Sequence, residues 1–373
     1  MRQQYLTNAK RVVIKIGSSL VASRQEGLRI TQLQRIAKEI TALHDQGLEI
    51  IVVSSGAIVA GMKQLQLTTY PQTLPLKQAC AATGQSILIH SYEQCFHDHD
   101  KRVALVLLTH QDLADRKRFL NARHTLNTLV QHKVIPIINE NDTVSIDEIQ
   151  FGDNDTLAGQ VAHLVDADLL VILSDVDGLF TEDPLRNPKA QLIPTVESIT
   201  EEILQLAGSS RSQESRGGMA TKVEAARLAA QFGLPTLIIN GEHPGLLETI
   251  PKGTTLGTVF FPCSRPLPSR KHWIAFTLRS KGQLFLDDGA VEALRHRGKS
   301  LLPSGILEVR GNFLSGDPIA CMDSEHKEFA RGLANYSSEA IELIKGKKTA
   351  EVAKILGNQE YEEVIHRDNL ALL

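Results

Sequence analysis

Arg11-Val12-Val13-Ile14-Lys15-Ile16-Gly17-Ser18-Ser19-Leu20 sets the pattern for the first two thirds of the chain. Its Val/Ile run has the continuous apolar character of a strand covered on both faces. The run ends at a Gly-Ser-Ser turn, and Lys15 interrupts it as an inward-facing charge. Backbone N–H groups of such a turn can cradle phosphate, and a nearby ammonium neutralises its charge. A lysine near a strand end is otherwise merely solvated, so this stretch alone fixes an element and not a function. Similar runs recur at Glu49–Ser54, Arg102–Leu108, Val134–Ile138, Leu169–Leu173 and Thr236–Ile239. Helix-like segments fall between them, near Thr31–Gln46, Pro75–His97, Arg116–His132, Thr156–Val165 and Gly218–Phe232. The last has Val223, Ala226 and Ala230 near helical spacing, then Gly233 and Pro235 as stop signals. Alternation of this kind predicts an α/β fold built on a doubly wound, mostly parallel sheet. Ligands in such sheets sit beyond the carboxyl ends of the strands. Gly17, Ser54–Gly56, Asn139–Asp142 and Ser174–Asp177 all occupy such ends.

A chain of 373 residues predicts two or three domains. The 42% hydrophobic and 22% charged fractions suit a soluble globular protein. A net charge of -3 with pI near 6.5 gives no whole-chain attraction for nucleic acid or an anionic membrane. No apolar run approaches the roughly 20 residues of a membrane span, and Met1–Lys10 lacks a signal-peptide core. A cytoplasmic protein with no membrane partner is expected. Cys80, Cys95, Cys263 and Cys321 are scattered without a Cys-x-x-Cys pair, which suggests reduced thiols and no zinc framework. Phe261-Pro262-Cys263-Ser264-Arg265-Pro266-Leu267-Pro268-Ser269 resists helix and sheet alike. It predicts a linker over 263–274 between a domain at 1–262 and a small β-rich domain at 275–373. Strand-like pieces there are Trp273–Phe276, Gln283–Leu286, Gly305–Val309 and Pro318–Met322, separated by glycine turns.

Several stretches could carry chemistry. Ile149-Gln150-Phe151-Gly152-Asp153-Asn154-Asp155-Thr156-Leu157-Ala158 runs a polar cluster of strong N-cap formers into an apolar segment, the start of a helix. Asn139-Glu140-Asn141-Asp142 follows the run Val134–Ile138. Two clusters of carboxamides and carboxylates at strand ends suit a small zwitterion, which needs donors and acceptors together; two ordinary capped turns are the plainer reading. Val52-Val53-Ser54-Ser55-Gly56-Ala57-Ile58 passes from strand to helix through small residues that let a ligand approach the backbone. Ser215-Arg216-Gly217-Gly218-Met219-Ala220-Thr221-Lys222 is either a phosphate loop with its own lysine or a plain Gly-Gly turn. Leu173–Phe180 is not a calcium loop, because Arg186 stands at the twelfth position from Asp175, where glutamate is required. No metal-ligating set is expected.

Taken in order, Lys15-Ile16-Gly17-Ser18, Ser55-Gly56-Ala57, Asn139-Glu140-Asn141-Asp142, Gly152-Asp153-Asn154-Asp155 and Gly217-Gly218-Met219-Ala220-Thr221-Lys222 closely resemble the amino acid kinase family. The two Asn/Asp motifs point within it to members that phosphorylate glutamate. Arg297–Tyr336, with Ser300-Leu301-Leu302-Pro303-Ser304-Gly305-Ile306 and Gly311-Asn312-Phe313, resembles the PUA domain that many such members append. The resemblance implies that ATP, with Mg²⁺, phosphorylates the γ-carboxylate of L-glutamate, the first step of proline synthesis. It implies Lys15, Asp155 and Lys222 as catalytic residues, the lysines neutralising the transferring phosphoryl group and Asp155 orienting them. Ser55, Gly56, Asn139, Asp142, Asp153 and Asn154 would hold glutamate. Lys15, Gly17, Ser174, Asp175, Arg216, Gly217, Gly218, Met219, Ala220, Thr221 and Lys222 would line the ATP site. Glu214-Ser215-Arg216 departs from the small residues usual there, leaving Arg216 either on a phosphate or in solvent. Also implied are proline as a feedback inhibitor, a homo-oligomer, and the next enzyme, glutamate-5-semialdehyde dehydrogenase, as a partner. Kinases of aspartate, acetylglutamate, carbamate or a nucleoside monophosphate share the lysine-glycine strand but not the paired Asn/Asp motifs. RNA binding through the PUA-like region is the reading from another class, which the acidic pI and the lack of a basic stripe weaken.

Overall fold

The computed structural model describes residues 2–23, 25–144, 154–184, 186–208, 218–263, 271, 274–275, 278, 280–357 and 361–373. Two compact units divide the chain, Met1–Pro266 and Leu267–Leu373. In the first, the strands are β1 (Arg11–Ile16), β2 (Ala22–Ser23), β3 (Gly27–Leu28), β4 (Glu49–Val53), β5 (Arg102–Leu108), β6 (Val134–Glu140), β7 (Leu169–Ser174), β8 (Thr195–Val196), β9 (Thr236–Asn240) and β10 (Thr258–Phe260). The helices are α1 (Arg2–Thr7), α2 (Ser18–Val21), α3 (Ile30–Asp45), α4 (Ala57–Gln64), α5 (Leu74–His97), α6 (His110–Ala114), α7 (Arg116–Gln131), α8 (Asn154–Leu164), α9 (Glu201–Gly208) and α10 (Met219–Gln231).

Eight strands form one sheet in the order β5-β6-β4-β1-β7-β9-β10-β8. The first six strands of that order are parallel neighbours, while β10 runs antiparallel to β9 and β8 lies parallel to β10, so the last two strands run against the rest. The chain passes from β1 to β4, β5 and β6 on one side and then crosses back from β6 to β7 on the other, so the strand order reverses beside β1. Open α/β sheets bind ligands at such a reversal.

Alternate side chains of each strand point to opposite faces, and the core follows that rule. Val12, Ile14 and Ile16 of β1 pack with Val52, Leu173 and residues of α3 and α5, such as Leu33 and Tyr92. Val13 packs on the other face with Val53, Ile172 and residues of α7, α8 and α10, such as Val161 and Val223. Both faces of the central strands are therefore covered, which is why their sequences are unbroken apolar runs. Lys15 shares the parity of Val13 and so faces α8 and α10.

Three local differences from the sequence reading have physical causes. Strand β6 continues through Asn139 and Glu140, because parallel pairing with Leu107 and Leu108 of β5 holds them in the ladder. Helix α6 is nucleated by Thr109, whose hydroxyl accepts from the backbone N–H of Asp112 while the Asp112 carboxylate takes the Thr109 N–H. Helix α9 is short and amphipathic, with Ala207 its buried residue.

Helices α4 and α5 cross through glycines. A Cβ on Gly61 would fall 1.8 Å from the Cys80 carbonyl oxygen, and one on Gly84 1.8 Å from the Ala57 carbonyl oxygen. Only backbone, which cannot swing aside, fills that space.

The second unit has its own core around Leu284, Phe313, Ile319 and Ile365. Its sheet runs β12-β11-β13-β14-β15, where β11 is Gly282–Leu286, β12 Ile306–Gly311, β13 Pro318–Met322, β14 Glu328–Leu333 and β15 Leu370–Leu372. A helix, α11 (Asp288–Arg297), joins β11 to β12 where a glycine turn was expected. Asp287 caps it by accepting from the Ala290 N–H, and its charged surface leaves few apolar residues to announce it. The expected strand Trp273–Phe276 is not one: Ile274 and Ala275 are helical, and Trp273 and Phe276 lie outside the described residues.

Because the α4–α5 contact admits no added atom, Gly84→Ala should lower unfolding stability by about 1–3 kcal/mol, the cost of overpacking. A denaturant midpoint equal to that of the wild type would contradict this crossing.

Candidate active site

Lys15, on β1, enters the layer of α8 and α10 and meets Asp155, the second residue of α8. The Lys15 ammonium is ion-paired with Asp155 Oδ1. Lys222, on the first turns of α10, lies 3.4 Å from Asp155 Oδ2. Thr221 Oγ1 stands 3.0 Å from that same oxygen and 2.8 Å from the Gly218 carbonyl oxygen. All three charged side chains are buried, with Asp155 at 0% exposure. Burial alone would push the Asp155 carboxyl up; the charges of Lys15 and Lys222, with hydrogen bonds from Lys15 and Thr221, outweigh it and hold the group well below the usual carboxylate range. Asp155 also sits in the first turn of its helix, where the backbone dipole favours an anion. Among the described residues, two buried cations share this one buried anion.

The turn after β1 lies against the end of β7. Gly17 N–H donates to the Leu173 carbonyl at 3.0 Å, and a Cβ on Gly17 would sit 2.9 Å from that oxygen. Ser174, buried at the end of β7, donates its hydroxyl to Asp175 Oδ1 at 3.1 Å. The expected nucleotide residues Gly17, Ser174 and Asp175 thus gather at the ends of β1 and β7. Gly218 caps α10, and Met219, Ala220, Thr221 and Lys222 form its first turn.

On the other side of Lys15 is a carboxamide cluster. Asn154, which starts α8, reaches over the strand ends and shares its two amide hydrogens among the Ser54 carbonyl at 2.8 Å, Ser55 Oγ at 3.0 Å and Asn139 Oδ1 at 3.1 Å. Asn139 Oδ1 also accepts from the Glu140 N–H at 2.9 Å, and its Nδ2 donates to Gln85 Oε1 at 2.8 Å. Ser54 donates to the Ser55 carbonyl and lies 2.8 Å from Tyr92 Oη. Burial drives the Tyr92 phenol far up, so it remains a donor to Ser54. Gly56 opens α4 with φ +97°, and a Cβ there would strike Val21 Cγ1 at 2.8 Å. This is a position for glycine on both counts. Asp142 is half-buried; desolvation, then the Glu140 charge, push its carboxyl up to about 7.

Lys15, Asp155 and Lys222, far apart in sequence, therefore meet, as do Ser55, Asn139 and Asn154. Gly152, Asp153, Arg216 and Gly217 lie outside the described residues. Gln85 and Tyr92 were missed. Gln85, Leu88, Tyr92 and Phe96 follow one face of α5 at helical spacing, and a glutamine on that apolar stripe was the readable signal. Among the described residues no three His, Cys, Asp or Glu side chains gather as a metal site.

Replacing Asp155 by Asn would remove the buried carboxylate that Lys15 and Lys222 share, at a cost of about 3–5 kcal/mol of stability. Its depressed pKa means this contribution is complete above the ordinary carboxylate value near 4 and is lost as pH falls through the folded value. Denaturant melts across acidic pH should show Asp155→Asn both weaker at pH 7 and less acid-sensitive than the wild type.

Comparison with known proteins agrees with this layout. Residues 10–240 match the amino acid kinase family and residues 282–356 the PUA domain. A protein of Moorella thermoacetica named glutamate 5-kinase is 48% identical over 99% of this chain and 97% of its own length. One of Geobacter sulfurreducens with the same name is 48% identical over the whole of both chains. The carbamate kinase of Giardia lamblia, solved with AMP-PNP, is 19% identical, with TM-score 0.51 over 69% of this chain and 100% of its own. That is a likeness of fold.

Proposed function

The chain belongs to the amino acid kinase family, and we propose that it transfers the γ-phosphoryl group of ATP to the γ-carboxylate of L-glutamate, forming γ-glutamyl phosphate and ADP. The observation that carries this is the buried Lys15–Asp155–Lys222 cluster beside a pocket of carboxamides. Full-length relatives named glutamate 5-kinase support the substrate. The product is an acyl phosphate, the first intermediate of proline synthesis.

The chemistry needs little beyond positioning. A γ-carboxylate oxygen attacks the γ-phosphorus, the bond to the β–γ bridging oxygen breaks, and ADP leaves with that electron pair. A carboxylate is already a nucleophile, so no general base is required. The difficulty is bringing two anions together. Lys15 and Lys222 neutralise the charge on the phosphoryl oxygens, and Asp155 holds both ammonium groups in place so that little reorganisation remains at reaction. Gly17, Ser174, Asp175 and the 216–222 segment would hold the nucleotide. A magnesium ion bound with the triphosphate would add charge neutralisation, through phosphate oxygens and water more than through side chains.

At the other end Ser55, Gly56, Asn139, Asp142, Asp153 and Asn154 would hold the amino acid. Proline offers the same ammonium and α-carboxylate without the acceptor carboxylate, which suits a competitor at this pocket. The reading extends to a cytoplasmic homo-oligomer that delivers its labile product to glutamate-5-semialdehyde dehydrogenase. No described helix is long and apolar enough to cross a membrane.

ADP release should depend on glutamate, and not on aspartate, acetylglutamate or UMP, with γ-glutamyl hydroxamate formed when hydroxylamine is present. Lys15→Ala and Lys222→Ala should each lower turnover on the order of 10²–10³-fold, as for loss of one preorganised charge; near-normal turnover in either would refute the assignment. The Asp142 carboxyl, near 7 in the free site, must ionise to receive the substrate ammonium. kcat/KM for glutamate should therefore fall about tenfold per pH unit below 7, while KM for ATP stays flat. Asp142→Asn should abolish that inflection.

A further inference from the structure

Gln85 belongs to no motif of the sequence and is tied to the site by one hydrogen bond. Its orientation is nevertheless determined. The backbone N–H of Glu140 can only donate, and it donates to Asn139 Oδ1. Asn139 must then turn its Nδ2 toward Gln85, which must answer with Oε1. This chain of constraints leaves Gln85 Nε2 pointing away from Asn139. That nitrogen is buried and has no hydrogen-bond partner among the described residues, and the same holds for the acceptor Asn154 Oδ1. A buried donor without a partner costs about 1–3 kcal/mol, and native structures keep few of them. Helix α5 cannot roll to relieve it, because the neighbouring Gly84 is pressed against the Ala57 carbonyl and Tyr92, two turns on, is bonded to Ser54.

Position along the sheet says which end of a substrate this donor meets. Lys15 is on β1 and Asn139 on β6, with β4 between them. Two strand spacings are about 10 Å, a span that one dicarboxylate covers with a hydrogen bond at each end. With the reacting carboxylate at the lysines, the far carboxylate lies on the Gln85 side. We propose that Gln85 is a substrate-binding residue whose Nε2 donates to the α-carboxylate of the amino acid, fixing the reach of the site and so its preference for glutamate over shorter acids. The proposal rests on the reading of this site as a glutamate pocket.

The test is a donor–acceptor swap on both partners. Gln85→Glu keeps an acceptor for Asn139 Nδ2 but replaces the outward donor with an anion. L-glutamate α-amide keeps the γ-carboxylate but replaces the α-carboxylate with a group that donates. Wild-type enzyme should prefer glutamate. Gln85→Glu should raise KM for glutamate about 10- to 100-fold, the effect of losing one hydrogen bond to a charged group, with KM for ATP unchanged. Its ratio of kcat/KM for the α-amide over glutamate should rise by at least a comparable factor. Gln85→Ala, which adds no charge, should move that ratio toward parity, and it serves where Gln85→Glu fails to fold. If Gln85 only positions Asn139, Gln85→Glu retains wild-type KM and the ratio does not move; that result overturns the proposal. Wild-type protein that releases no ADP with glutamate would instead defeat the functional reading, and this inference with it.

Discussion

Two ammonium groups sharing one buried carboxylate set the terms for the rest of the molecule. Each ion loses several kcal/mol of hydration on burial, and a single carboxylate cannot return all of it to two cations. Lys15, Asp155 and Lys222 are nonetheless almost completely removed from water. Such a cluster survives only on a rigid frame, and the frame is the parallel sheet. Lys15 is held in register with Val53 on one side and Ile172 on the other. Helices α8 and α10 then pack on each other and bring Asp155 and Lys222 to it by their first turns. Under the proposed function, the two preorganised ammonium groups would meet the charge of the transferring phosphoryl group.

Strand parity divides labour between the two faces of the sheet. The face that receives Lys15 holds the charges. The opposite face, covered by α5, holds the neutral polar groups: Ser54 with Tyr92, and Asn139 with Gln85. Among the described residues Asn154 crosses between them, from the residue next to Asp155. The carboxamides on that face do not titrate, and the direction of Asn139 is fixed by the Glu140 N–H.

Much of this was legible in sequence because burial on both faces leaves so plain a mark. The runs at Arg11–Ile16 and Arg102–Leu108 are strands with those limits, and Lys15 stood out as the one charge inside such a run. Asn139 was harder. A polar residue at the end of a buried strand resembles a turn, and its place in the ladder depends on β5, which is distant in sequence. Strand β10 and helix α11 were invisible for a related reason: the first is three residues long and the second carries few apolar residues among its charged ones, so neither has a period to read. Gln85 is the most instructive omission. Its helix is covered on more than one side, which blurs the amphipathic stripe, and one polar residue inside a blurred stripe carries little weight until its partner is known.

The pocket's unmet needs run in a definite order along the sheet. Near β1 two ammonium groups share one carboxylate. Near β6 there are a carboxyl raised by desolvation and by Glu140, an unmatched acceptor on Asn154 and an unmatched donor on Gln85. Each is a liability to the empty protein, and each is removed by one part of a single ligand class. In the proposed complex an ammonium would restore the charge on Asp142 and answer the acceptor, one carboxylate would answer the donor, and a second carboxylate meeting a phosphoryl group would answer the lysines. A ligand that binds the folded state alone returns its binding energy as stability, so a site so poorly satisfied when empty gains most from the molecule that satisfies all of it. On this reading specificity would come less from shape than from matching several separated deficits at once, which a monocarboxylate or a shorter diacid would fail at one end.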